Sequence, residues 1–144
     1  MKRSILIAAT TAALLSVSSL SASANDVFFE QFGFGNSVGG SQNGVRNIIG
    51  VIQKGRFNNS VSFQDGRRNA IAVGQTGRRN DATSTQRGRR NNAGVAQFGR
   101  GHKSKISQRG TDNVTASVQV GRNCGSDVTQ RGHGNVSAIV QTCR

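Results

Sequence analysis

From Gln31 onward the chain alternates small or apolar positions with polar ones at a period of two, and the alternation restarts every eleven residues. Numbering each block from its Gln as phase 1 gives Gln31, Gln42, Gln53, Gln64, Gln75, Gln86, Gln97, Gln108, Gln119, Gln130 and Gln141, with no insertion or deletion. Phase 3 is glycine in ten blocks: Gly33, Gly44, Gly55, Gly66, Gly77, Gly88, Gly99, Gly110, Gly121 and Gly132. Phase 6 is Asn36, Asn47, Asn58, Asn69, Asn80, Asn91, Asn113 and Asn135, with His102 and Cys124 in the other two blocks. The last block stops after Gln141 and puts Cys143 at the glycine phase. Such a repeat decides the fold before any single residue does.

Phases 8 and 10 carry Val, Ile, Ala, Ser, Thr or Gly in all ten complete blocks, from Val38 and Gly40 to Ser137 and Ile139. Side chains alternate between faces along a strand, so phases 6, 8 and 10, the next Gln and the next Gly share one face. That face is read as the interior. Each block predicts one strand of about six or seven residues, from Asn to just past Gln. A tight turn opened by the glycine follows, because such turns need positive φ. A continuous helix is excluded by a glycine every eleventh position and by the many Val, Ile, Thr and Ser.

Charge tests the assignment independently. Nineteen Lys and Arg less Lys2 and Arg3 leave 17, against six Asp and Glu, a net +11 for residues 25–144; none of these charges falls on an inward phase. Composition alone, poor in aromatics and rich in Gly, Asn, Gln and Ser, would read as disorder, but strict register over 110 residues argues against it.

Two strand-turn units form a coil of 22 residues, and stacked coils make an all-β solenoid, a cross-β stack of strand-turn-strand coils. Five coils at one strand spacing each would stand about 24 Å tall. Inward Gln and Asn then meet their equivalents one coil away. An amide both donates and accepts, so these columns can satisfy each other as ladders.

Residues 1–24 read as a signal peptide. Lys2 and Arg3 precede an apolar stretch, Ile5 to Leu15, and Ala22-Ser23-Ala24 has the small-x-small form of a cleavage site. The apolar run falls short of the roughly 20 residues of a membrane span. Cleavage is expected before Asn25, leaving 25–144 as one repeat domain. Neither the segment Asn25 to Glu30 nor the segment Gln141 to Arg144 has the atypical composition of a capping repeat, so both ends are expected to be adhesive.

The motif Q-x-G-x-x-N, followed by alternating Ala, Val, Ile or Ser, resembles the curlin repeat, found in subunits of curli, the extracellular amyloid fibres of bacterial biofilms. The resemblance covers essentially all of 25–144. It implies a secreted structural subunit that passes through the periplasm and a curli-type export pore in the outer membrane. Such a subunit polymerises with itself and with other curlin-like subunits, serving biofilm formation and surface adhesion in fimbria-like fibres. It carries the inward Gln and Asn over as self-assembly ladder residues and the glycines as turn residues. Two departures stand out: Asn opens nearly every strand where family repeats often alternate Ser and Asn, and no long Gly/Asn-rich stretch precedes Gln31. The basic charge admits a minor, nucleating role beside a major one.

No enzyme chemistry is expected, and no cofactor, metal or small-molecule substrate. His102 occupies an Asn phase and His133 a turn, without a carboxylate or nucleophile at the matching phase one coil away. Two cysteines are too few for zinc. Cys124 and Cys143 fall at adjoining turns, where a disulfide, free thiols and intermolecular thiols all remain open. The rival reading is a secreted basic solenoid binding polyanions: Arg56, Arg78, Arg100, Arg122 and Arg144 are each 22 apart and form one column, with Arg67 and Arg89 on the opposite edge. Acidic polysaccharide, lipopolysaccharide and extracellular DNA are the candidate partners. Base-stacking aromatics do not interleave with these arginines, and the flat ladders of one small residue type that mark ice-binding solenoids are missing.

Overall fold

The computed structural model describes residues 25–144; the signal-peptide reading of 1–24 lies outside the described residues. Eleven strands follow one another: β1 (Asp26–Phe34), β2 (Ser37–Val45), β3 (Ile48–Arg56), β4 (Asn59–Arg67), β5 (Ala70–Arg78), β6 (Asp81–Arg89), β7 (Asn92–Arg100), β8 (Lys103–Thr111), β9 (Val114–Arg122), β10 (Gly125–His133) and β11 (Val136–Cys143). Odd strands form one parallel sheet in the order β1-β3-β5-β7-β9-β11, and even strands a second, β2-β4-β6-β8-β10. Every paired residue meets the one 22 positions on: Gln53 lies beside Gln75, Gly55 beside Gly77 and Arg56 beside Arg78. The chain is therefore a β-solenoid of 22-residue coils.

The inward phases build a thin core. Ile49, Val51, Ile71, Val73, Ala93 and Val95 come from β3, β5 and β7. The facing strands β4 and β6 give Ser60, Ser62, Ala82 and Ser84, so large side chains lie opposite small ones. Farther along, the roles swap: β9 offers Thr115 and Ser117, while β8 and β10 bring in Ile106 and Val128. Among the described residues, 21 buried side chains are polar and ten are apolar. With that ratio, hydrogen bonding inside the stack matters as much as apolar burial.

Strand boundaries differ from the sequence-based expectation. All but one of the strands have nine residues, running from phase 7 through the glycine to phase 4, and the bend occupies phases 5 and 6. Gly33, Gly44, Gly55, Gly66, Gly77, Gly88, Gly99, Gly110, Gly121 and Gly132 thus lie inside strands, two residues before the bend. Identical coils keep the same curvature, so the interstrand ladder persists as the chain begins to turn. These glycines still need to be glycine. Gly77 has φ +126°, and a Cβ there would overlap the carbonyl oxygen of Gly99 one coil on. The second positive-φ position, phase 5, is held mostly by other residues: Arg46, Phe57, Arg68, Arg79, Arg90, Asp112 and Asn123 all lie at φ 54–58°.

Asn25 to Glu30 is not a lead-in to the repeat but its first member. Asp26 to Glu30 form the first half of β1, with Val27 beside Ile49 and Phe29 beside Val51. The odd sheet consequently has one strand more than the even sheet.

Candidate functional site

Two glutamine columns run the length of the stack. In the odd sheet Nε2 of Gln31, Gln53, Gln75, Gln97 and Gln119 each donates to Oε1 of the next Gln, at 2.7–3.1 Å. In the even sheet Gln42, Gln64, Gln86 and Gln108 do the same at 2.8–3.0 Å, ending on Gln130. The second Nε2 proton crosses the interior to a backbone carbonyl of the facing strand, as from Gln75 to Asn59 at 2.9 Å. Each ladder therefore ties coil to coil and sheet to sheet, and it is polar: donors point toward the C-terminal end.

The asparagines clamp the corners rather than merely stacking. Oδ1 of Asn47 accepts the backbone N–H of Asn69 at 3.1 Å. Its Nδ2 donates to the carbonyls of Asn43 at 2.9 Å and Gly66 at 3.1 Å. His102 substitutes for this amide: Nε2 lies 3.1 Å from the Phe98 carbonyl and Nδ1 accepts the Cys124 N–H at 3.2 Å. Cys124, at the next corner, is disulfide-bonded to Cys143, with 5.6 Å between their Cα atoms. The bond pins the end of β11 to the corner beneath it.

Both corner edges are cationic. Arg56, Arg78, Arg100 and Arg122 are in-register neighbours, with Arg144 just past β11. Arg67 and Arg89 pair on the other edge. Phase 5 arginines, absent from the sequence-based set, complete two clefts. Arg67, Arg68, Arg89 and Arg90 line one of about 150 Å³; Arg56, Phe57, Arg78, Arg79 and Arg100 line another of about 200 Å³. Arg90 binds Asp112 through two hydrogen bonds, 2.6 and 2.8 Å, which hold the Asp112 carboxyl below the usual carboxylate range. His133 ends β10, not a turn, and lies 3.6 Å from Asp112. That carboxylate is one phase off the histidine, so a search at matching phases misses it.

The outer faces of the two sheets differ. The odd sheet presents Gly50, Ile52, Ala72, Gly74, Gly94, Ala96, Ala116 and Val118 along a shallow apolar groove of about 460 Å³. The even sheet presents Thr83, Lys105 and Asp127 among its outward residues. Phases 9 and 11 of alternate blocks carry this difference in the sequence.

The ends are open. β1 pairs only with β3, β2 with β4, β10 with β8 and β11 with β9, so four strand edges face outward along the axis. The first coil also gathers exposed apolar side chains, Val27, Phe28, Phe29, Phe32 and Phe34. It contains Asp26 and Glu30 but no Lys or Arg up to Val45.

Residues 77–110 match the model of the curlin associated repeat. Over that stretch the chain is similar to the curlin repeat. The match runs from one phase 3 glycine to another, and the same register continues through the coils on either side. No curated protein matches the chain. The repeat and the β-solenoid fold together support a curli-type structural subunit.

Proposed function

We propose that the chain is exported, loses residues 1–24, and self-assembles into curli-like extracellular amyloid fibres that serve biofilm formation and adhesion. The observation that carries this reading is that, among the described residues, both ends of the solenoid offer unpaired strand edges and unfinished amide ladders to another copy. The chain should convert to thioflavin-binding fibres with a meridional reflection near 4.7–4.8 Å. A stable, soluble monomer at high concentration would overturn the reading. Seeding separates the two subunit roles: a nucleator accelerates polymerisation of a separate curlin at low molar ratio, whereas a major subunit forms the bulk of the fibre.

A second reading, polyanion binding, is favoured by the registered arginine columns. These arginines spring from backbone positions one strand spacing apart, under about 5 Å, inside the roughly 8 Å Debye length at physiological salt. An anionic polymer lying along them relieves that repulsion and gains charge-assisted hydrogen bonds. Acidic polysaccharide, lipopolysaccharide and extracellular DNA all present such charge. Binding should weaken steeply with salt, and changing Arg56, Arg78, Arg100, Arg122 and Arg144 to Gln should weaken it more than changing five scattered outward cations. Equal losses would reduce the column to a solubilising rim.

A further inference from the structure

We infer that successive copies join head to tail with a half-turn about the solenoid axis, so that β1 of the incoming copy pairs with β10 and its β2 pairs with β11. The inference rests on the fibre-forming reading and specifies the interface it uses.

Strand count sets the geometry. Eleven strands leave the odd sheet one strand taller, so at the C-terminal end β11 stands alone in its coil and the edge of β10 faces an empty twelfth position. An unrotated copy would lay β1 on β11 and leave that position vacant, burying two unpaired strand edges, of β10 and of the incoming β2, at every junction. A half-turn exchanges the two sheets, preserves strand direction, and places β1 in the vacancy. Every interstrand ladder then continues without a gap.

The amides select the same junction. Because Nε2 always donates toward the C-terminal end, the N-terminal end presents acceptors and the C-terminal end presents donors. A head-to-head contact would set acceptor against acceptor. Gln42 Oε1 is buried and has no hydrogen-bond partner. With the half-turn, Gln141 of the preceding copy stacks on Gln42 and its Nε2 reaches that oxygen; without it, Gln141 meets Gln31 and Gln42 faces the vacancy.

Outward residues agree. Inside the chain Phe32 already has Lys54 over its ring, 5.7 Å from the centroid. The half-turn brings Arg131 of β10 to the other side of Phe32, next to Glu30, where cation–π and ion-pair attraction act together. The unrotated junction instead puts Val136 and Val140, each 76% exposed, beside the charges of Asp26 and Glu30. The acidic stretch from Asp26 to Val45, without Lys or Arg, suits an end carrying Arg131 and His133.

Cysteine pairs placed at equivalent phases test the junction, since ladder neighbours lie within the Cα separation a disulfide spans. Fibres of Phe32→Cys/Arg131→Cys should yield covalent multimers on oxidation, at least ten-fold more than fibres of Phe32→Cys/Thr142→Cys, with peptide mapping to exclude exchange with Cys124 and Cys143. The reverse preference, or dimers from Phe32→Cys alone, would overturn the inference while leaving fibre formation intact. Helical reconstruction of fibres of the unsubstituted chain provides a second measurement. The expected symmetry is one subunit per about 26 Å, five and a half strand spacings, with a rotation near 180° added to any twist of the stack. A rise of about 29 Å without the half-turn refutes it. Absence of fibres would overturn the fibre reading as well.

Discussion

Replacing Gln75 by Leu removes an amide while keeping approximate size, and so isolates what the ladder contributes. Gln75 is 1% exposed. It accepts from Gln53 at 2.7 Å, donates to Gln97 at 2.8 Å and donates to the Asn59 carbonyl at 2.9 Å. Leucine there strands Gln97 Oε1 and one proton of Gln53 Nε2, both inside the stack. Each stranded polar group costs about 1–3 kcal/mol. Two such groups cost about 2–6 kcal/mol, and the extra apolar burial of Leu offsets about 1–2 kcal/mol, leaving a net loss centred on about 2.5 kcal/mol.

If each subunit folds as it adds, that loss appears in the critical concentration, the soluble protein remaining when fibre growth stops. It should rise by about 60-fold, at 1.4 kcal/mol per ten-fold. Thr76→Lys, on the outward side of the same strand, should change it by less than about three-fold, since exposed substitutions stay within about 0.5 kcal/mol. Gln31→Leu, at the exposed end of the ladder, should fall between them. Replacing Gln64, Gln75 and Gln86 together by Lys buries charge and should abolish growth. Equal critical concentrations for Gln75→Leu and Thr76→Lys would refute the assignment of phase 1 to a ladder that holds the stack together.

At one corner, two glycine exchanges should have opposite signs. Gly77→Ala forces a Cβ into the Gly99 carbonyl and should destabilise fibres by at least about 2 kcal/mol; Arg79→Gly relieves a left-handed residue at φ +56° and should stabilise them by about 1 kcal/mol. Guanidinium midpoints of preformed fibres measure both. Ser62 Oγ is buried without a hydrogen-bond partner, so Ser62→Ala should be neutral or stabilising by up to about 1 kcal/mol, whereas a loss above that would reveal a hidden partner. Reducing Cys124–Cys143 opens a 19-residue span that ties β11 down and should release about 3 kcal/mol of constraint, seen as faster hydrogen exchange in β11 than in β9.

The inward and outward phases were legible because charge separates them without exception from Gln31 onward and phases 8 and 10 never exceed Ile in size. The bend was less so. Glycine at phase 3 suggested a turn, yet parallel in-register coils continue their ladder through the curve, so hydrogen bonding ends two residues later than conformation alone implies. The left-handed position at phase 5 was hidden by Arg46, Arg68, Arg79 and Arg90, although Gly35, Gly101, Gly134, Asp112 and Asn123 at the same phase carried the signal. β1 escaped notice for a similar reason. The block before Gln31 lacks a Gln at phase 1, but Asn25 stands at phase 6, and its Oδ1 accepts the Asn47 N–H at 2.9 Å.

The cation columns and the strand count bear on the same problem. Within one copy, four arginines follow one another along the odd edge from Arg56 to Arg122, and Arg144 would extend the run. If copies joined without rotation, each such run would recur on one edge only and leave the other edge nearly uncharged beyond Arg89. The half-turn instead sets Val45 of the incoming copy over Arg144 and Phe34 over His133, so each run ends against an uncharged residue. The next run then starts on the opposite edge. Charge is divided between two sides of the fibre and interrupted at every junction by the stretch from Asn25 to Val45, which has no Lys or Arg. A chain of net +11 can therefore stack axially while keeping arginine clefts open to solvent on both edges. The apolar outer face of the odd sheet alternates sides in the same way, so no continuous greasy stripe runs the length of the fibre.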